Sequence, residues 1–203
     1  MSYSDMTLAM VRSQFGITIE ERRLFPNPGS IAAPPWLTSA LSQGNGMALM
    51  SEKARNEFIV VPVLVTCREL SEQRFYIFSG VRFDIDAERG LKGECDFILS
   101  RTRPSPIVTA PIAVIVEAKK QDIEEGLGQC AAQMIAAQIF NEREGRTEAK
   151  ISGCVTSGET WQFMSLQDNV LTLDSQRYYI VEVDKILWIL SQIVGSEPTT
   201  NRA

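Results

Sequence analysis

Acidic residues interrupt two strongly apolar segments in the middle of the chain, and this pattern constrains the fold more than any other. Residues 93–100 read GECDFILS and residues 111–120 read PIAVIVEAKK. Both have the β-branched, apolar content of buried strands, yet Asp96 lies inside the first and Glu117 near the end of the second. Because alternate side chains of a strand share a face, Glu117 and Lys119 project together, and Asp96 joins them if the strands are neighbours.

Two carboxylates and a lysine in this arrangement predict a site for a metal ion and a water molecule. Carboxylates hold hard divalent cations such as Mg²⁺ or Mn²⁺, and a lysine beside a metal-bound water can orient it or stabilise developing negative charge. The simpler interpretation is a surface ion pair between Glu117 and Lys119, with Asp96 capping a turn. For an isolated E-x-K that interpretation is the commoner one, but an unpartnered charge in an apolar strand is costly, which favours a site.

The composition excludes several other kinds of catalysis. The chain has no histidine, so Ser-His-Asp and Cys-His mechanisms and histidine-bound zinc are excluded, and a metal must be held by oxygen atoms. A net charge of −5 argues against a protein that coats nucleic acid along its whole surface. The four cysteines form no C-x-x-C pair and are predicted to be reduced core residues: Cys67, Cys95, Cys130 and Cys154.

The predicted elements follow the order helix, three strands, helix, several strands and terminal helix. The first helix spans residues 47–70, and its predicted buried stripe is Met47, Met50, Ala54, Phe58, Val61 and Val65. Pro62 predicts a kink or a helix end within it. The other two helices span residues 123–140 and 184–194. Since a helix follows the most apolar strand, we expect an α/β fold with a mixed central sheet flanked by helices.

The chain divides into three regions by composition. Residues 1–46 are proline-rich and are expected to form an appendage packed on the core, residues 47–195 form the main domain, and residues 196–203 form a loose tail. No apolar run approaches the roughly 20 residues of a membrane span, and the first residues lack the pattern of an export signal. We therefore expect a cytoplasmic protein that has no membrane partner.

The main domain resembles the PD-(D/E)XK, or restriction-endonuclease-like, nuclease superfamily. The resemblance covers residues 47–155 and is carried by GECDFI, a loop, IVEAK and a glutamine-containing helix. It implies an αβββαβ core, with Asp96 and Glu117 as ligands of Mg²⁺ or Mn²⁺ and Lys119 as a catalytic residue. Cys95 stands where the superfamily has a proline before the aspartate.

The resemblance also implies accessory residues on the two helices that flank the strands. The run EKARNEFIVVPVL is similar to a helix near the N-terminus of type I restriction subunits and selects Glu52, with Glu57 as the alternative. Related nucleases place a glutamine on the later helix, and Gln129 is preferred to Gln133, which lies four residues on and shares its face. The whole chain also resembles a group of small proteins found mainly in cyanobacteria.

We therefore expect a metal-dependent nuclease that hydrolyses phosphodiester bonds in DNA or RNA. The alternative is a binding or regulatory module that keeps the nuclease fold without turnover, and a third interpretation is a structural partner of another protein that uses the helix at residues 47–70. The sequence does not decide between DNA and RNA or identify a protein partner, and it leaves a homodimer open.

Overall fold

A mixed β-sheet forms the centre of the structure. The computed structural model describes residues 1–47, 49–102, 104–120, 122–146 and 150–195. The strands are β1 (Thr18–Arg22), β2 (Tyr76–Arg82), β3 (Glu94–Ser100), β4 (Ile112–Ala118), β5 (Ile151–Thr156), β6 (Thr160–Gln167) and β7 (Val170–Tyr179). They form one seven-stranded sheet in the order β1-β7-β6-β5-β4-β3-β2.

Helices connect and cover these strands. The α-helices are α1 (Leu8–Phe15), α2 (Pro35–Asn45), α3 (Glu52–Arg55), α4 (Val61–Leu70), α5 (Glu124–Arg143) and α6 (Val183–Gly195). A π-helical segment, Asn56–Val60, joins α3 to α4. Short 3₁₀ helices at Tyr3–Asp5 and Ile180–Glu182 precede α1 and α6.

The sheet combines two antiparallel meanders through one parallel crossover. Strands β2, β3 and β4 are antiparallel neighbours, as are β5, β6 and β7. Helix α5 connects β4 to β5, which run parallel to each other. At the far edge, β1 pairs parallel with β7. The expected α/β fold with a mixed sheet flanked by helices is confirmed.

Each face of the sheet carries its own apolar core. One core lies between the sheet and helices α1 and α5, with Ile98, Ile115 and Met134 among its members. The other lies between the sheet and helices α2, α4 and α6, and includes Val116 and Trp161. Every residue of β4 is buried, so this strand is the centre of the domain, and a charge on it is shielded from bulk water.

The first 46 residues contribute to both cores and to the sheet. They supply strand β1, and Tyr3 and Leu37 are buried on opposite sides of the sheet. The Tyr3 hydroxyl donates a hydrogen bond to the carbonyl of Phe83 at 2.7 Å. This region therefore packs against the rest of the chain through buried residues. The loose tail expected at residues 196–203 lies outside the described residues.

The helix predicted at residues 47–70 is wrong at its start and in part of its buried stripe, of which Val61 does pack against the core. The helix begins only after Ser51, whose hydroxyl accepts a hydrogen bond from the amide of Ala54 at 3.1 Å. Met47 and Met50 precede it and are exposed, and Val65 is also exposed. The π-helical segment adds a residue to one turn and so rotates the following turns. The side chains that face the core are Ile59, Val60, Val63, Leu64 and Cys67.

Several other expectations are confirmed. Helix α5 covers the predicted residues 123–140 from its first turn onward, and α6 buries Leu187, Leu190 and Val194. The four cysteines are free and buried. No helix in the described part of the chain is long and apolar enough to cross a membrane.

Candidate functional site

The two predicted metal ligands lie side by side on adjacent strands. Strands β3 and β4 are antiparallel, and their register pairs Phe97 with Val116. The next step of this register places Asp96 opposite Glu117, so both side chains project from the same face of the sheet. The backbone amide of Ala118 donates a hydrogen bond to Oδ2 of Asp96 at 2.8 Å, which fixes the carboxylate against β4.

Lys119 lies directly beyond the end of β4 and joins this pair. Its backbone amide donates to the carbonyl of Thr156 at 2.8 Å, which continues the pairing of β4 with β5. Its ammonium Nζ donates to Oε1 of Glu117 at 2.7 Å. The side chain of Glu117 is 2% exposed and that of Lys119 is 19% exposed, so this ion pair is largely shielded from water. The simpler interpretation, a surface ion pair, does not describe it.

Helix α5 supplies two glutamines that bond to opposite members of the ion pair. Oε1 of Gln129 accepts a hydrogen bond from Nζ of Lys119 at 3.0 Å. Nε2 of Gln133 donates to Oε2 of Glu117 at 2.9 Å and to the carbonyl of Glu94 at 3.4 Å. Both glutamines therefore face the site, one turn apart, as their spacing indicated.

Of the two candidate glutamates on the first helix, Glu52 is the one that interacts electrostatically with Asp96 and Lys119. Burial raises the pKa of Glu52, the ammonium of Lys119 lowers it and the carboxylate of Asp96 raises it, with a net upward shift. Glu57 is exposed and lies 3.8 Å from Lys53 in a surface ion pair. The structure thus brings Glu52 within electrostatic reach of Asp96 and Lys119.

An open cleft of about 360 Å³ lies beside Asp96, between α3 and the β2–β3 pair. Glu52, Asn56, Gly80 and Asp96 are among its lining residues. Gly80 lies opposite Asp96, because the residues before and after it on β2 pair with those after and before Asp96 on β3. It has a φ of +60°. This left-handed conformation favours glycine, and a Cβ at Gly80 would lie 3.5 Å from Oε1 of Glu94. A larger cavity of about 590 Å³ lies near the start of α5, but its lining includes neither site carboxylate.

The electrostatics of the site reflect crowded negative charge in a buried position. Burial, and then the charge of Asp96, raise the pKa of Glu117 to about 7. Burial also raises the pKa of Asp96, although the Ala118 amide and Lys119 partly offset it. Burial lowers the pKa of Lys119, but the neighbouring carboxylates, with Glu117 first, outweigh burial and raise it. The lysine is therefore charged at neutral pH, and the carboxylates share an excess of negative charge.

These residues fit a hard divalent cation in two respects. Asp96 and Glu117 provide oxygen donors on one face, and a cation would offset both the burial that raises their pKa values and the effect of the Asp96 charge on Glu117. Among the described residues, no group of three or more His, Cys, Asp or Glu side chains is arranged to hold a metal. A cation held by two carboxylates would take its other ligands from water or substrate oxygens, which Mg²⁺ commonly does.

Comparison with known proteins does not assign the chain to a family. No protein-family model matches the chain, and no curated protein matches it significantly. The geometry of the site is therefore the basis for a functional conclusion.

Three contributors to the site had no clear signal in the sequence. In the sequence, Gln129 is preferred to Gln133 because it lies closer to Gly126 and Gly128. The bond of Gln133 to Glu117 depends on the position of α5 over β4, which the sequence does not specify. Gly80 carries no motif, and its place opposite Asp96 in the cleft lining follows only from the β2–β3 register. Gly126 packs on the stem of Lys119, since a Cβ there would lie 3.0 Å from Cγ of the lysine. A glycine in the first turn of a helix was its only available signal.

Proposed function

We propose that the chain is a divalent-metal-dependent nuclease of the restriction-endonuclease-like class. The observation that carries this proposal is the side-by-side placement of Asp96 and Glu117, with Lys119 bonded to Glu117 at 2.7 Å. The chain order α4-β2-β3-β4-α5-β5 supports it, because this order matches the αβββαβ core of that class. The open cleft beside Asp96 supplies access for a substrate.

Each side chain has a defined part in this proposal. Asp96 and Glu117 would hold Mg²⁺ or Mn²⁺, which when bound lowers the pKa of a water molecule and neutralises charge on a phosphate. Gln133 orients Glu117 through its hydrogen bond to Oε2. Lys119 is charged and can stabilise negative charge that develops on the phosphate or orient the attacking water. Glu52 adds a carboxylate at the mouth of the cleft.

The proposed substrate is a nucleic acid, DNA or RNA, that presents one phosphodiester to the cleft. Among the described residues, Glu52, Glu57 and Glu94 line the cleft together with Asp96 and a single lysine, Lys53. This acidic lining would repel a phosphate backbone unless a metal neutralises it. Binding of the substrate is therefore expected to depend on the metal as strongly as its cleavage does.

A nuclease-fold module without turnover is the second candidate function. It is favoured by one observation, which is that both carboxylate oxygens of Glu117 already accept hydrogen bonds, from Lys119 and from Gln133. A carboxylate whose hydrogen bonds are all made by neighbouring side chains is also expected in a purely structural polar network. Metal binding and cleavage, measured together, separate the two candidates.

The decisive experiment combines thermal unfolding with a cleavage assay on single- and double-stranded DNA and RNA. Mg²⁺ or Mn²⁺ at a hundredfold excess over its dissociation constant stabilises the folded protein by about 2.7 kcal/mol. For a chain of this size that corresponds to a rise in melting temperature of about 5–10 °C. Asp96→Asn should abolish the rise, whereas Glu57→Gln should retain it, because Glu57 pairs with Lys53 at the surface.

Cleavage should depend on Lys119 separately from metal binding. Lys119→Met keeps the length of the side chain and removes its charge, and we expect it to lower the cleavage rate by about 100-fold or more. The same variant should still gain thermal stability from Mn²⁺, since a lysine is not a metal ligand. Absence of both metal stabilisation and cleavage in the wild-type protein would reject the nuclease and leave only the fold.

A further inference from the structure

The ammonium group of Lys119 occupies a position beside Glu117 that a metal ion bound to this carboxylate would need. Nζ of Lys119 lies 2.7 Å from Oε1 of Glu117, and Nε2 of Gln133 lies 2.9 Å from Oε2. Each carboxylate oxygen thus has a donor within hydrogen-bonding distance. A cation that binds Glu117 must share one of these oxygens with its donor or displace the donor.

The two donors differ in how readily they can leave. Gln133 is fully buried on α5, and its amide also donates to the carbonyl of Glu94 at 3.4 Å. Displacing it from Glu117 would leave one of its two buried N–H donors without an acceptor, which is costly. Lys119 has a flexible stem and a side chain that is 19% exposed. Its ammonium is also strongly attracted to water, so movement toward solvent costs less than it would for the glutamine.

Lys119 also has a second acceptor in place. Oε1 of Gln129 lies 3.0 Å from Nζ and is independent of Glu117. The lysine stem packs over Gly126, where a Cβ would lie 3.0 Å from its Cγ and 3.2 Å from its Cε. The missing side chain at Gly126 therefore leaves the space that the stem needs on the α5 side of the site.

We infer that Lys119 is a resident counter-ion of Glu117, that a divalent cation would displace it rather than share the oxygen, and that Gln129 would retain the ammonium. This inference rests on the metal-dependent function proposed above and adds a form of regulation to it. In the metal-free protein the lysine neutralises Glu117 and holds the carboxylate in place. With a cation held by Asp96 and Glu117, Lys119 would leave Glu117 and keep its hydrogen bond to Gln129.

The test is a calorimetric titration of the full chain with Mn²⁺ at one fixed pH near 8. If Lys119 competes with the cation for Glu117, Lys119→Met should bind Mn²⁺ about tenfold more tightly than the wild type, because the competing charge–charge contact is gone. Lys53→Met is the matched control. Lys53 lines the cleft beside Glu52 but pairs with Glu57 at 3.8 Å, so removing it changes local charge without freeing Glu117. We expect a change of less than about threefold for this control.

Each outcome of the titration has a definite meaning. Equal or weaker binding by Lys119→Met overturns the counter-ion role, even if the wild type binds metal and cleaves nucleic acid. Equal tightening by Lys53→Met and Lys119→Met overturns it as well, because general electrostatics would then explain the gain. Binding by Lys119→Met alone supports the counter-ion role and rejects metal-dependent function in the wild type. Failure of every form to bind rejects both proposals.

A second measurement uses the wild-type chain and so does not depend on how a variant folds. Acetic anhydride labels free amines, and peptide mass spectrometry can compare Lys119 with Lys53 in the presence and absence of Mn²⁺. Displacement from Glu117 should increase labelling of Lys119 severalfold while that of Lys53 is unchanged. Unchanged or decreased labelling of Lys119 at saturating Mn²⁺ would contradict displacement.

Discussion

The raised pKa of Glu117 predicts that the protein becomes less stable as the pH rises from acid to neutral. Burial and Asp96 raise the pKa of this carboxyl from 4.5 to about 7 in the folded protein. Between these values the folded protein binds more protons than the unfolded chain. The free energy of unfolding therefore falls as the pH increases through this window, and the contribution is fully present only below about pH 4.5.

The magnitude follows from the size of the shift. One pKa unit corresponds to about 1.4 kcal/mol, so Glu117 alone accounts for a loss of about 2.5 kcal/mol between about pH 5 and pH 8. Asp96 and Glu52 also have raised pKa values and act in the same direction. The pKa of Lys119 is raised above 10.5, so its contribution is lost only at strongly alkaline pH and does not affect this range.

Glu117→Gln should remove this part of the pH dependence. The substitution keeps the size of the side chain, and the new amide can still be accommodated because Oε1 of Gln133 is buried and has no hydrogen-bond partner among the described residues. Rotation of the Gln133 amide would let this oxygen accept the new N–H. We therefore expect an altered pH slope in a folded variant.

The assay is urea unfolding followed by circular dichroism at several pH values from about 5 to 8, without divalent metal. The wild type should lose at least about 2.5 kcal/mol more than Glu117→Gln over this range. Glu57→Gln is the matched control, because this glutamate is exposed at the surface, and its slope should equal that of the wild type. Identical slopes for wild type and Glu117→Gln would refute the argument that the folded protein disfavours ionisation of Glu117.

Two further predictions concern packing and the accessory carboxylate. Gly128→Ala should destabilise the protein by about 1–3 kcal/mol in urea unfolding, because the new Cβ would lie 2.4 Å from the carbonyl oxygen of Met6. The control is Gly195→Ala, whose Cβ meets nothing within 4 Å among the described residues and should change stability little. Equal effects of the two substitutions would contradict this account. Glu52→Gln should weaken Mn²⁺ binding by about tenfold in calorimetry, whereas Glu57→Gln should not, and the reverse result would exclude Glu52 from the site.

The strand residues of the site could be predicted because strand geometry is regular. Alternation along one strand was enough to place Glu117 and Lys119 on the same face, and an acid within an apolar strand indicated a partner for Asp96. The helical spacing of Gln129 and Gln133 likewise showed that they share a face. These inferences need only local periodicity, which the sequence contains.

The parts that could not be predicted depend on contacts distant in sequence or on irregular backbone. The buried face predicted for the helix at residues 47–70 is wrong at Val65, because the π-helical turn at Asn56–Val60 shifts the helical phase and no motif marks it. The separate bonds of Gln129 to Lys119 and of Gln133 to Glu117 depend on the position of α5 along β4. Only the packed structure determines that position.

The turn between β5 and β6 links the two halves of the proposed site. The carbonyl oxygen of Thr156, at the end of β5, accepts a hydrogen bond from the backbone amide of Lys119 at 2.8 Å. Ser157, the next residue, accepts a hydrogen bond at 3.1 Å from the guanidinium of Arg55, which lies on the same short helix as Glu52. Gly158, at a φ of +82°, packs on Ile59 in the π-helical turn. One turn thus fixes the strand that carries Lys119 and the helix that carries Glu52, so a change in this turn would alter the distance between the lysine and the accessory carboxylate without touching either one.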